Sequence, residues 1–180
     1  MTYYGGKHLA DAFRTVRKNT LAIAQDIPED KYTYRAAPNT RTVSQLLVHI
    51  AGLPAWQQEL QSQRVASLEG YDFSGRFGKD RAEEQVPRTK AEIIDLLQRS
   101  AEAFASFLEG LSEGVLAEGV SMPGGQPAKS RFEMLISIKE HEMHHRAQLM
   151  LIERQLGIVP HLTREREARF AGTAQQPAQT

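Results

Sequence analysis

SRFEMLISIKEHEMHHRAQLMLIERQLG, residues 130–157, carries a full set of helix signals. It opens with Ser130 and, three residues on, Glu133, the pairing of a capping box in which each side chain satisfies a backbone N–H of the first turn. It closes on Gly157, suited to the left-handed conformation after a last helical turn, with Pro160 just beyond. Between these ends Met134, Ile138, His141, His145, Leu149 and Ile152 recur at steps of three and four and form one stripe. Residues four apart differ by only about 40° around a helix, so His141 and His145 project from the same face, one turn apart. That face is the one meant for the core.

Working outward, the same grammar recurs. Thr89 and Glu92 form a second capping box, opening a helix whose stripe is Ile93, Leu96, Leu97, Phe104, Phe107 and Leu111. Thr42 and Gln45 form a third, and its stripe is Leu46, His49, Leu53, Trp56 and Leu60. Pro54 lies inside that run and should bend or disturb it, because proline removes a backbone donor. A first helix over 7–26 presents Leu9, Phe13, Val16, Thr20 and Ile23 and stops at Pro28. The stretch 31–41 reads as an extended connection, and 112–129, with Gly124-Gly125, as a loop. Residues 68–87, with Gly70, Gly75 and Gly78 among scattered charges, are long for a connection and read as a crossover along the bundle, with room for a helical turn. The fold expected is all-α, a four-helix bundle over 1–170, followed by a small, polar, disordered tail over 171–180.

Bulk properties bound the function. The 180 residues are 41% hydrophobic and 24% charged, ordinary for one domain with its own core. Lysine plus arginine equals aspartate plus glutamate at 22 each, so nothing points to a nucleic-acid or anionic-membrane partner or to a basic patch. There is no cysteine, which removes thiolate ligands, disulfides and a protein thiol nucleophile. The first residues meet charge before any apolar run, unlike a signal peptide, and no stretch approaches the roughly 20 apolar residues of a membrane span. A soluble, cytoplasmic enzyme or binding protein is expected.

A lone histidine on an apolar face is ordinarily a hydrogen-bonded core residue. Two at i and i+4, with His49 on the core face of another helix, are a different case, because buried imidazoles compete for partners. One shared metal ion satisfies them all, each supplying a nitrogen at about 2.0–2.1 Å. Three neutral nitrogens leave a position open, as in catalytic sites, and suit zinc, nickel or iron(II) better than magnesium or calcium. His144 is rotated by about 100° from His145 and points elsewhere, though it can support the ligands from behind. Gln148, seven residues past His141, is placed to orient a ligand or to bond a neighbouring helix. His8 and His161 lie near element ends and are expected in solvent. Arg146 and Glu142 read as surface or salt-bridging positions, and Phe73, Phe77, Tyr32 and Tyr34 either line a pocket or cover the end of the bundle.

The run His141-Glu-Met-His-His-Arg-Ala-Gln-Leu149 resembles the signature of the DinB/YfiT-like family of metalloenzymes, and Leu46-Leu-Val-His-Ile-Ala51 with Trp56 resembles its second-helix motif. The resemblance spans nearly the whole chain before the tail. It implies an up-down-down-up bundle, which accounts for the long crossover, and a metal held by His49, His141 and His145. It also implies a homodimer. One departure is Ala147, where the family commonly has glycine; the added methyl should tighten packing there.

The reaction implied is metal-dependent. It is either a transfer to a low-molecular-weight thiol such as mycothiol or bacillithiol, supplied from outside because the chain has no cysteine, or a hydrolysis by metal-activated water. The alternatives are a non-enzymatic, stress-associated bundle with a structural or sensory metal, and a purely structural protein with a hydrogen-bonded histidine core.

Overall fold

The computed structural model describes residues 4–173. Four long helices, α1 (Gly6–Asp26), α2 (Val43–Ser62), α4 (Lys90–Glu109) and α6 (Arg131–Gln155), make a four-helix bundle. α1 and α2 each pack against both α4 and α6, so the four close a ring around the core. Three shorter helices, α3 (Phe73–Gln85), α5 (Glu113–Ala117) and α7 (His161–Thr173), two 3-10 turns (Glu29–Lys31 and Pro123–Gly125) and a two-residue antiparallel pairing of β1 (Gly119–Val120) with β2 (Lys129–Ser130) join them.

All three capping boxes form. Thr42 accepts from the Gln45 N–H, Thr89 from that of Glu92 and Ser130 from that of Glu133, and each third residue reaches back to the cap. The C-terminus of α6 is a Schellman motif: Gly157 has φ +78°, the Ile158 N–H donates to Glu153 O at 2.8 Å and the Gly157 N–H to Arg154 O at 3.1 Å. Gly6 is needed for another reason. A Cβ there would run into the carbonyl oxygen of Leu108, because the start of α1 lies directly against the end of α4.

Three apolar clusters fill the bundle, one around Ile23, Leu47, Ile93 and Leu149, one around Phe13, Phe104, Leu108 and Ile138, and a smaller one of Leu60, Leu68, Val120 and Met134. A buried ion pair also crosses the interior. Arg17 (1% exposed) donates Nε to Glu142 Oε1 at 2.8 Å and Nη2 to Oε2 at 3.0 Å. It also bonds Leu97 O and Ser100 Oγ, while Thr20 Oγ1 donates to Glu142 at 2.7 Å. Of the two readings of Glu142, salt-bridging holds and surface does not, since it is 2% exposed. Arg17 also explains how α2 tolerates Pro54. Proline offers no N–H to the carbonyl four residues back, Ile50 O, and Arg17 Nη2 approaches that oxygen at 3.4 Å.

Three departures from the sequence reading concern connections. The 68–87 crossover is largely helix: Asp72 caps α3 by accepting from Gly75 N–H at 2.8 Å, and α3 lies on α2. The expected loop at 112–129 contains α5, capped by Ser112, and the short β pairing. Pro160 lies just beyond the Gly157 stop as read, but a helix that the sequence reading did not name follows it: the Pro160 carbonyl accepts from Thr163 and Arg164 N–H and starts α7. That helix is docked on α1 through His161 Nε2 and Asn19 Oδ1 at 3.2 Å and the Arg164–Asp26 ion pair. His161 is therefore buried, not solvated, whereas His8 is exposed and its Nδ1 accepts from the Gly5 N–H at the start of α1. α7 runs to Thr173, three residues into the expected tail, and 174–180 lie outside the described residues.

Candidate metal centre

His49 is carried by α2 and His141 and His145 by α6, on the turns where those two helices face each other. Their ring nitrogens come within 4.8 Å of one another. His49 Nε2 and His145 Nε2 each lie 3.1 Å from His141 Nε2. The i, i+4 spacing sets the second distance through helix geometry; the packing of α2 on α6 sets the first.

The opposite side of two rings is tied down. His49 Nδ1 is 2.9 Å from Glu84 Oε1, and the other oxygen of Glu84 accepts from Arg41 Nε at 2.8 Å. A carboxylate flanked by a guanidinium is an acceptor only, so His49 Nδ1 carries the proton and its Nε2 carries a lone pair. His145 Nδ1 lies 3.0 Å from Gln148 Oε1, whose amide nitrogen lies 3.0 Å from His144 Nε2. With Gln148 donating to His144, its carbonyl oxygen accepts from His145 Nδ1–H, and His145 Nε2 also carries a lone pair. His141 Nε2 has one hydrogen at most and cannot serve two lone pairs at once.

A single cation resolves the conflict. Three nitrogens about 2.0–2.1 Å from one ion, at angles of about 90–110°, lie about 2.9–3.4 Å apart; the two distances to His141 Nε2, 3.1 Å each, fall in that range, and the third pair, His49 with His145, lies within 4.8 Å, so a bound ion would draw those two rings together. Burial, with Arg41 and His145 adding to it, pulls the His49 pKa down to about 4. Burial and the neighbouring histidines pull His141 down to about 3, and burial also lowers His145. All three rings are neutral near pH 7, the state in which imidazole binds metal. The donor set therefore fits a divalent ion.

A match to the DinB family runs over residues 1–176. The chain belongs to the DinB family. No curated protein matches it significantly. Among solved structures, this DinB-family chain is similar to YfiT from Bacillus subtilis, described as a probable metal-dependent hydrolase with an unusual four-helix bundle topology. The TM-score is 0.69 at 14% identity, covering 88% of this chain and 91% of that one. A second Bacillus subtilis structure, a DinB-like protein, aligns with TM-score 0.62 at 20% identity, covering 83% of this chain and 91% of that one. A DinB-like protein from Bacillus cereus aligns with TM-score 0.62 at 16% identity, over 85% and 93%. At these identities the likeness is one of fold.

Glu84 escaped the sequence reading. It is 6% exposed and the only buried residue of α3. A hint exists in the charges at Arg76, Asp80 and Glu84, spaced by four, of which Arg76 and Asp80 pair at 2.8 Å. In this DinB-family chain Gln148 contacts His145 and His144 contacts Gln148, both from exposed positions. Ala147 is exposed, so its methyl tightens nothing. Tyr32 is buried in the core with its hydroxyl on Ala24 O, Phe73 packs on Trp56 and Tyr71, and Phe77 is 57% exposed. None of these aromatics lines the cavity of about 810 Å³ that borders His145, Gln148 and Glu84.

Proposed function

We propose that this chain is a metal-dependent hydrolase of small molecules, with His49, His141 and His145 as the protein ligands of one divalent ion. The observation that carries the reading is the convergence of three Nε2 atoms, two of which have their ring protons directed away to Glu84 and Gln148. The description of YfiT, which shares the fold, supports it. Zinc and nickel suit the donor set first, iron(II) next. Held by His49, His141 and His145, such an ion would keep positions open and would supply Lewis-acid chemistry for hydrolysis.

The chain's own residues position and shield. Glu84 holds the His49 ring by Nδ1–H and is itself held by Arg41. Gln148 holds the His145 ring. Leu46 and Ile152, both buried, give the cavity an apolar wall beside His145. A cavity of about 810 Å³ has room for a low-molecular-weight thiol together with a small electrophile, and such a thiol entering from solution would make the reaction a transfer to sulfur.

Elemental mass spectrometry on the untagged protein and on His49→Ala and His145→Ala, with a screen of ester, amide and phosphoester substrates with and without thiol, tests the reading. Near-stoichiometric metal in the wild type, lost in both variants together with thiol-independent turnover, is the expected result. Turnover only with thiol would make the chain a transferase. Metal that raises the melting temperature while nothing is turned over would point to a structural or sensory ion. A wild type that binds neither zinc nor nickel on titration sinks the proposal. A cytoplasmic homodimer belongs to the same reading, and light scattering of the metal-loaded protein tests the dimer.

A further inference from the structure

The cavity beside His145 concentrates charge in a chain whose total is even. Arg35, from the connection before α2, Arg41, just ahead of α2, and Arg81, from α3, all line it. Its acidic lining is Glu84 alone, and both oxygens of Glu84 are engaged, by His49 and by Arg41. Three positive charges against one spent carboxylate leave an excess of two.

The guanidiniums also have donors to spare. Arg41, which lines the cavity, uses Nε on Glu84, and its two Nη groups have no hydrogen bond among the described residues. Arg35 uses Nη1 on Thr40 O. Arg81 has no hydrogen-bond or ion-pair partner among the described residues, whereas Arg76, five residues earlier on α3, is paired with Asp80. A guanidinium offers five N–H donors in a fork that matches the two oxygens of a carboxylate or phosphate.

We propose that this cavity binds the anionic group of the substrate, a carboxylate or a phosphate, between Arg81, Arg35 and the free end of Arg41. That sets the uncharged, reacting part of the molecule toward His145. The substrate class is thus a small organic anion of a size that fills a cavity of about 810 Å³, and an uncharged analogue is refused. Arg81 is the specificity-determining residue, because no other group among the described residues competes for it. The inference rests on the proposed metal site for where the reacting end goes, but anion capture by the arginines needs no metal.

Isothermal titration calorimetry with inorganic phosphate, succinate and the uncharged succinamide tests this. Full-length protein is used metal-loaded and metal-depleted, with metal content measured on every sample. Phosphate or succinate should bind the wild type, more weakly as salt rises, and succinamide should not bind. Arg81→Ala should weaken binding about tenfold or more and Arg35→Ala/Arg81→Ala further, with metal content unchanged and part of the loss recovered in Arg81→Lys. Preference for phosphate assigns a phosphate-bearing substrate, and preference for succinate a carboxylate. Equal affinity in wild type and Arg81→Ala, binding that vanishes on metal removal whatever the arginines, or equal binding of succinamide overturns the inference. If the protein takes up no metal yet the metal-free wild type binds anions through Arg81, the hydrolase reading fails and this one stands.

Discussion

Glu84→Gln isolates the part of the site that α3 supplies. In the wild type one carboxylate receives two donors, His49 Nδ1–H at 2.9 Å and Arg41 Nε–H at 2.8 Å, one on each oxygen. Glutamine has the same shape but one carbonyl oxygen and one NH2. Arg41 cannot accept, so the carbonyl stays on it and the NH2 faces His49 Nδ1. The imidazole then moves its proton to Nε2, the atom that points at His141, and the lone pair needed for a metal is lost. Restoring the ligand tautomer sacrifices one buried hydrogen bond, about 1–3 kcal/mol, which is roughly 10- to 100-fold in metal affinity. The assay is a competitive zinc titration against a chromogenic chelator on both proteins, with circular dichroism to establish that the fold is intact. Zinc affinity within twofold of wild type in a folded Glu84→Gln protein would refute the tautomer argument and demote Glu84 to a plain ion-pair partner of Arg41.

Removing Glu142 leaves Arg17 charged and uncompensated at 1% exposure, so Glu142→Ala should cost about 3–5 kcal/mol, or about 6–20 °C in melting temperature. The double variant Arg17→Met/Glu142→Leu should recover most of that, and a single-variant loss below about 1 kcal/mol would contradict the network described. Glu153 is fully buried, with neither carboxylate oxygen hydrogen-bonded, and burial, with Asp26 adding to it, pushes its pKa up to about 7. The folded value lies above the unfolded one, so the contribution is full below about pH 4.5 and fades as pH rises through about 7. Glu153→Gln should therefore gain on wild type by up to about 3 kcal/mol between pH 5 and pH 8 in parallel chemical denaturations; a pH-independent difference would mean the carboxyl is already ionised at pH 5.

The site was half legible in the sequence. His141 and His145 belong to one helix, and four residues of regular helix fix their relation wherever the helix goes. His49 was legible because histidine interrupts an apolar stripe. Glu84 was not. A ring nitrogen of a half-buried imidazole calls for an acceptor, but helix periodicity names no partner 35 residues away among 22 acidic side chains. α3 itself was obscured because it buries almost no apolar surface; Asp72, Phe73 against Trp56, and Glu84 on His49 and Arg41 hold it. The arginine cluster was hidden for the same reason: Arg35 and Arg41 come from the connection before α2 and Arg81 from the crossover, and an even total charge averages them away.

By itself, then, the sequence determined the elements whose causes are local. Capping boxes at Thr42, Thr89 and Ser130, the glycine stop at Gly157 and three-four apolar spacing act within one helix, and each formed where it was written. Tertiary structure alone decided what stands opposite what. Arg17 met both Glu142 and the carbonyl that Pro54 leaves free, α3 brought Glu84 to His49, and Pro160 began a helix that Asn19 and Asp26 hold in place. Those contacts join residues that no helical period relates, and only the packing of whole helices brings them within the roughly 3 Å at which a hydrogen bond or an ion pair acts.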